Sequence, residues 1–73
     1  MKSQCTVNMK EIGKIIKERR KSLKVNQLEL SELAGVDIST LVAIERGEGN
    51  PKLATLLSIL DTLGLQMTIG LKS

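Results

Sequence analysis

The 73-residue sequence lacks Phe, Tyr, Trp and His, and it contains a single cysteine, Cys5. Without aromatic side chains, the core must be built from Leu, Ile, Val and Met, and recognition of nucleic-acid single strands by base stacking is excluded. With no His and one Cys, neither a disulfide nor a zinc site can form within one chain, so no metal or cofactor is expected. A lone Cys fits a reducing cytoplasm.

Long apolar segments are also missing from the sequence. No segment approaches the roughly 20 apolar residues of a membrane span, and no signal-peptide pattern opens the chain. We therefore expect a soluble cytoplasmic protein that does not engage a membrane. The sequence has no nucleophile elbow, no phosphate-binding glycine loop and no carboxylate pair in a credible cleft, so an enzyme is not expected.

The size and charge of the chain set two further limits. A single domain this small buries only about 60% of its unfolded surface, which makes a stabilising dimer plausible. The net charge of +3 indicates an anionic partner only mildly. The charge is unevenly distributed, because residues 9–24 carry a net charge of +5 and residues 26–48 carry −4.

Two short helical patterns meet at Gly35, which can take the left-handed conformation that ends a helix. Asn26 and Glu29 have the spacing of a capping box, so the first of these helices should begin near residue 27. Asp37 is the expected cap of the next helix, which should begin near residue 38. Each cap is flanked by an apolar pair of the hydrophobic-staple type: Val25 with Leu30, and Val36 with Leu41. Two helices joined in this way form a helix-turn-helix.

A longer helix is predicted before this pair, from about Met9 to Leu23, because Asn8 and Glu11 form another capping box. Its expected apolar face contains Ile12, Ile16 and Leu23, with Ile15 alongside. The lysines of this helix face water, and they form either a solvated surface or a surface that faces phosphate.

The second and third helices should bury the apolar residues that share one face: Leu30, Ala34, Val36, Leu41 and Ile44. Leu28 and Leu33 fit this face less well. They are packed by the first helix or by the C-terminal tail, or they form a surface for a partner.

Residues 47–51 form a predicted loop, because two glycines and an Asn-Pro pair lie there. Pro51 fits the first position of a fourth helix with Asn50 as its cap, since the N–H that proline lacks would be unpaired there. This helix should run to about Leu63. It is apolar over more than half of its surface, so it lies centrally in the core or also faces a second subunit.

Gly64 ends the fourth helix, and the apolar period then changes to two. Four apolar residues alternate with other residue types, as in a strand with one apolar face: Leu65, Met67, Ile69 and Leu71. A single strand needs a partner for its backbone groups, and antiparallel pairing with the same strand of a second subunit supplies one. The alternatives are a disordered or helix-packed tail, or pairing with residues 5–7 of the N-terminal arm.

From Ile12 to Leu65, the sequence resembles the lambda-repressor/Cro-type (XRE-like) helix-turn-helix family. The most specific matches are Asn26-Gln27, the Leu30 to Gly35-Val36 register, Ser39-Thr40, Ile44-Glu45-Arg46-Gly47, and Asn50-Pro51 with the leucine pattern that follows. The resemblance implies an all-α domain of four to five helices that binds double-stranded DNA.

The closing Leu-Gly-Leu-Gln-Met-Thr-Ile segment resembles that of HipB-type antitoxin repressors. This resemblance implies a homodimer joined by the C-terminal strand and paired with a kinase-type toxin. The sequence therefore divides into a flexible arm over residues 1–8, a helix-turn-helix domain over 9–64 and a dimerisation strand over 65–73.

The resemblance also implies roles for individual residues. Gln27 would bond a DNA phosphate or base edge, and Arg46 and Asn50 would hold the opposite flank of the bound DNA. Arg20 and Glu45 match a structural salt bridge that joins the first helix to the third. The third helix would enter the major groove and present Ile38, Ser39, Thr40, Val42 and Ala43.

Several of these positions depart from the family. Ile38, Val42 and Ala43 stand where Arg, Gln, Asn or Lys often make bidentate bonds to bases. Glu48 and Gly49 stand in the loop that holds phosphate in the family, at positions where cationic residues are frequent. The sequence thus predicts a sequence-specific DNA-binding repressor that acts as a homodimer and as the antitoxin of a toxin-antitoxin pair. Its departures from the family predict low affinity, A·T-leaning specificity, or DNA binding only as a dimer or toxin complex. The alternative is an interaction module of the same fold that mainly binds and inhibits a kinase-type toxin.

The predicted C-terminal strand gives a direct test. Deleting residues 66–73 should convert the dimer into monomers, because the intersubunit strand pair is then lost. Sedimentation of the full-length and shortened chains measures this change. A dimer of unchanged stability after the deletion would show that the strand does not join the subunits.

Overall fold

A computed structural model describes residues 8–68, which form four α-helices joined by short connections. The helices are α1 (Met9–Ser22), α2 (Gln27–Ala34), α3 (Ile38–Glu45) and α4 (Leu53–Thr62). The predicted all-α class is confirmed, and all four helices lie where the sequence places them to within two residues.

Helix α1 begins as predicted at Asn8, whose side-chain oxygen accepts a hydrogen bond of 2.9 Å from the backbone N–H of Glu11. Its buried residues include Gly13, Ile16 and Arg20, spaced three and four apart along one face. The prediction that Leu23 lies on this buried face is wrong, since Leu23 is 44% exposed. Leu23 is the C-cap, so it lies past the last turn that faces the core.

Helix α2 has the predicted capping box. The Asn26 side chain accepts from the Glu29 backbone N–H at 2.8 Å, and the Glu29 carboxylate accepts from the Asn26 N–H at 3.0 Å. The helix ends at Gly35, whose φ of 70° is the left-handed conformation. The N–H of Val36 then donates to the carbonyl of Ser31, which closes the C-terminal turn.

Helix α3 begins at the predicted residue but is capped differently. Asp37 is its N-cap, yet the Asp37 carboxylate accepts from the hydroxyl of Ser39 and makes no side-chain bond to the helix backbone. The hydroxyl two residues away competes with the backbone N–H groups for the same carboxylate. The predicted position of the Asp37 cap is therefore confirmed, although its side chain makes no capping hydrogen bond.

Helix α4 starts two residues later than predicted. Its N-cap is Lys52, which is extended at φ −65° and ψ 148° and whose carbonyl accepts from the N–H of Leu56. The prediction of an Asn50 cap with Pro51 in the first helical turn is thus wrong. Pro51 has no N–H to donate in either register, so its presence alone does not fix the start of the helix.

The core lies where α2 and α3 meet α1 and α4. Helix α1 packs on α3, and α2 packs on both α3 and α4. The buried apolar side chains are all aliphatic, as the composition requires: Ile16, Leu30, Ala34, Leu41, Ile44, Leu56, Ile59, Leu60 and Leu63. Of the set predicted for α2 and α3, Val36 is the one that is only partly buried.

Gly13 marks the closest approach of α1 to α3. A Cβ built on Gly13 would lie 2.1 Å from the carbonyl oxygen of Ile44, a backbone atom that cannot rotate away. The backbones of the two helices therefore touch at this point. This contact fixes the position along α1 at which α3 crosses it.

The C-terminal segment is fixed where it leaves α4. The Arg19 side chain of α1 donates through Nε to the carbonyl of Leu63 at 2.9 Å, and Gly64 takes a left-handed φ of 74°. Residues 65–68 have no regular secondary structure. Residues 69–71 of the predicted strand, including Ile69 and Leu71, lie outside the described residues, so intersubunit pairing stays a prediction.

Among residues 8–68, no helix combines the length and apolar character needed to cross a membrane.

Replacing Gly13 with Ala should destabilise the protein by about 2 kcal/mol or more, because the new methyl group collides with the α3 backbone. In an ordinary helix the same change stabilises by about 1 kcal/mol, so the sign itself is diagnostic. Chemical denaturation followed by circular dichroism measures the change in unfolding free energy.

Gly35→Ala and Lys17→Ala are the matched controls. No atom lies within 4 Å of a Cβ at Gly35, so Gly35→Ala should cost only the roughly 1 kcal/mol of a left-handed alanine. Lys17 is exposed on α1, and Lys17→Ala should change stability by less than about 0.5 kcal/mol. A Gly13→Ala variant as stable as wild type would contradict the close packing of α1 on α3.

Candidate nucleic-acid interface

Helices α2 and α3 form the helix-turn-helix that the sequence predicts. Three residues, Gly35, Val36 and Asp37, connect them, and the left-handed Gly35 reverses the chain so that α3 packs against α2. Ala34 in the last turn of α2 is buried. The Ala34 carbonyl accepts a hydrogen bond of 2.7 Å from the hydroxyl of Ser58 on α4. The geometry of the turn is therefore fixed by both neighbouring helices.

Helix α3 has one buried face and one outward face. Leu41, Ile44 and Glu45 are buried. The remaining five residues are exposed or partly exposed, and they are the residues expected to face DNA: Ile38, Ser39, Thr40, Val42 and Ala43. Ile38 is 40% exposed.

The loop after α3 lies beside this outward face. Ser39, Thr40 and Ala43 line a shallow cleft together with Glu48, Gly49, Asn50 and Pro51. The N–H of Glu48 donates to the carbonyl of Ala43 at 2.9 Å, which holds the loop against the helix. The structure thus brings Asn50 next to α3, whereas Arg46 is exposed at the C-cap and does not line the cleft.

Arg20 and Glu45 form the predicted ion pair, which joins α1 to the end of α3. Arg20 Nε lies 2.7 Å from Glu45 Oε2 and Arg20 Nη2 lies 3.0 Å from Oε1, so the contact is bidentate. The side chains are only 10% and 2% exposed. Removing one partner of a pair buried this deeply costs about 3 to 5 kcal/mol, because the other charge is left without compensation.

Gln27 contacts this ion pair, which the sequence did not predict. Its Nε2 donates to Glu45 Oε1 at 3.1 Å, and Arg20 Nη1 donates to the carbonyl of Val25 at 2.9 Å. Both bonds tie the start of α2 to the ion pair. Because 18 residues separate Gln27 from Glu45, no local spacing pattern could have indicated their contact.

The outward face offers little charge and few hydrogen-bonding groups. The Ser39 hydroxyl already donates to Asp37, and exposed carboxylates lie at both ends of α3, on Asp37 and Glu48. Van der Waals contact and the Thr40 hydroxyl remain as means of recognition. Within residues 8–68, no group of His, Cys, Asp and Glu side chains could hold a metal ion.

Two other surfaces lie outside the helix-turn-helix contact face. On α2, Leu28 is 53% exposed and Leu33 is 69% exposed, so packing by α1 or by residues 65–68 does not cover them. The second surface is an apolar groove lined by Ile12, Ile15, Leu60, Leu65, Gln66, Met67 and Thr68. It includes the two described residues of the predicted dimer interface, Leu65 and Met67.

The sequence matches the helix-turn-helix (HTH_3) family model over residues 16–69. It is 40% identical over 57 residues to the immunity repressor protein of Bacillus phage phi105. That alignment covers 78% of this chain and 40% of the phage protein, so the chain spans less than half the length of this curated relative.

Two solved structures have the same fold. The restriction-modification controller protein C.AhdI from Aeromonas hydrophila is 28% identical, with a TM-score of 0.74 over 80% of this chain and 88% of that chain. A chain of the HipA-HipB-O2-O3 complex is 25% identical, with a TM-score of 0.80 over 97% of this chain and all of that chain.

The family match covers α2, α3 and α4 together with the part of α1 that supplies Arg20. It therefore includes the turn at Gly35, the outward face of α3 and the ion pair that joins α3 to α1. The protein belongs to the helix-turn-helix family of lambda-repressor-type transcriptional regulators.

Proposed function

We propose that this chain is a transcriptional repressor that binds specific double-stranded DNA sequences as a homodimer in the cytoplasm. The observation that carries the proposal is the uncovered outward face of α3 beside the loop that holds Asn50. An α-helix presented in this way fits the major groove of B-DNA, which is about 12 Å wide. We propose no catalytic activity for this chain.

The side chains of the outward face would read DNA through shape and methyl contacts. Ile38, Val42 and Ala43 can touch the methyl group of thymine, and the hydroxyl of Thr40 can bond one base edge or phosphate. The hydroxyl of Ser39, which donates to Asp37, can still accept from a base edge. These contacts favour A·T-containing sites. They supply less discrimination than the bidentate bonds of Arg to guanine or of Gln to adenine.

The flanks of the interface would contact phosphates. Gln27 is the first residue of α2, where free backbone N–H groups and the helix dipole favour an anion. Arg46 is exposed at the C-cap of α3 and Asn50 lines the cleft beside α3, and both would hold another part of the DNA backbone. The exposed carboxylates of Asp37 and Glu48 oppose this attraction, so one domain alone should bind weakly.

A homodimer would offset the weak binding of one domain. Two helix-turn-helix units that engage adjacent major grooves bind with higher avidity than either unit, provided their spacing matches one DNA turn. The apolar groove beside Leu65 and Met67 supports an intersubunit contact at the C-terminal end of the domain. The predicted strand would extend this contact.

A role as the antitoxin of a toxin-antitoxin pair is the finer form of this proposal. Its support is the similarity to a chain of the HipA-HipB complex over almost the whole sequence. The partner would be a kinase-type toxin. A second candidate function is an interaction module that mainly binds and inhibits such a toxin, and the exposure of Leu28 and Leu33 favours it.

Selection from a random duplex pool, followed by titration of the enriched duplex at several salt concentrations, tests DNA binding. The logarithm of the binding constant should fall with the logarithm of salt concentration with a slope of several units, because bound phosphates release counterions. Arg46→Ala should reduce this slope by about 1 if Arg46 contacts a phosphate.

Lys17→Ala is the matched control for the loss of one positive charge. Lys17 is exposed on α1, outside α3, the start of α2 and the loop that form the proposed interface. It should therefore leave the slope nearly unchanged. If no duplex is enriched or bound at low salt, including DNA upstream of the protein's own gene, the repressor proposal is wrong and the interaction module remains.

A further inference from the structure

The carboxylate of Glu45 accepts more hydrogen bonds than the ion pair alone requires. Oε2 accepts from Arg20 Nε, while Oε1 accepts from both Arg20 Nη2 and Gln27 Nε2. Glu45 is the last residue of α3, Gln27 is the first residue of α2, and Arg20 lies on α1. One buried carboxylate therefore connects the three helices at the edge of the proposed DNA interface.

This contact determines which way the Gln27 side-chain amide faces. An ionised carboxylate only accepts hydrogen bonds, so the NH₂ group of the amide must point toward Glu45 and the carbonyl oxygen must point away. The NH₂ group keeps one N–H that is not used by Glu45. Gln27 is only partly buried, so this N–H and Oε1 are the groups it can offer to a ligand.

We propose that Glu45 is a positioning residue for DNA recognition, because its carboxylate orients the Gln27 amide toward the duplex. This inference rests on the proposed DNA-binding function and deepens it. The oriented amide presents a donor and an acceptor side by side, which matches the N7 and N6 groups of adenine, while a phosphate would use the donor alone. Arg20 contributes by holding the Val25 carbonyl, and with it the start of α2.

The first test examines the contact without DNA. In nuclear magnetic resonance spectra, the Nε2 proton of Gln27 that faces Glu45 should be shifted downfield of the corresponding proton of Gln66 and should exchange with water more slowly. Gln66 is exposed and serves as the internal reference. If the Gln27 protons match those of Gln66 in shift and exchange, the amide is not held by Glu45 and the inference is wrong.

The second test measures whether Glu45 and Gln27 act together in DNA binding. The probe is the duplex enriched from the random pool by the wild-type protein. Gln27→Ala should weaken its binding roughly tenfold, the size of one hydrogen bond to a charged or base-edge group. The same substitution is then made in a background that lacks the carboxylate.

A suitable background combines Arg20→Met with Glu45→Leu, which replaces the ion pair with apolar side chains and often preserves folding. Circular dichroism establishes that this protein is folded before binding is measured. In this apolar background, Gln27→Ala should weaken DNA binding by less than about twofold, since the amide is no longer oriented. A purely structural role of Glu45 would lower binding in this background without changing the effect of Gln27→Ala.

The outcomes separate the inference from the proposed function. If wild type binds no duplex, the DNA-binding function fails and the positioning role fails with it. If wild type binds and Gln27→Ala has the same effect in both backgrounds, the positioning role alone is wrong. If the apolar background does not fold, the exchange rates of the Gln27 amide protons in the wild-type protein decide whether Glu45 holds the amide.

Discussion

The buried ion pair between Arg20 and Glu45 is the interaction on which the arrangement of the three N-terminal helices depends. A bidentate contact with side chains at most 10% exposed holds only in one relative placement of α1 and α3. Arg20 also bonds the carbonyl of Val25, so the start of α2 is fixed in the same step. We expect the pair to contribute more to the uniqueness of the fold than to its net stability, since burying two charges is itself costly.

The aliphatic core and the ion pair constrain the same interface from two sides. Gly13 brings the α1 backbone against the Ile44 carbonyl, one residue before Glu45. A larger residue at position 13 would move α3 away from α1 and separate the two charges. The outward face of α3 follows from this placement, because burial of Leu41 and Ile44 leaves Ile38, Val42 and Ala43 on the opposite side.

Features that depend on neighbouring residues could be predicted from the sequence, and those that depend on distant residues could not. The Asn26–Glu29 capping box spans three residues, so its spacing encodes it. Asp37 is the N-cap as predicted, but its carboxylate accepts from Ser39 and not from the helix backbone. Contact between Gln27 and Glu45 depends on how α2 and α3 pack, which spacing does not show. The pairing of Arg20 with Glu45 was predicted from the family resemblance, because no local pattern indicates it.

We propose that α3, the start of α2 and the loop at Asn50 together form the DNA-binding surface. Mapping backbone amide shifts by nuclear magnetic resonance during titration with the enriched duplex tests it most directly. The largest changes should occur at Gln27, at residues 38–43 and at residues 46–50, with small changes on the α2 face that carries Leu28 and Leu33. Large changes on that α2 face, with none on α3, would show that α3 does not bind the duplex.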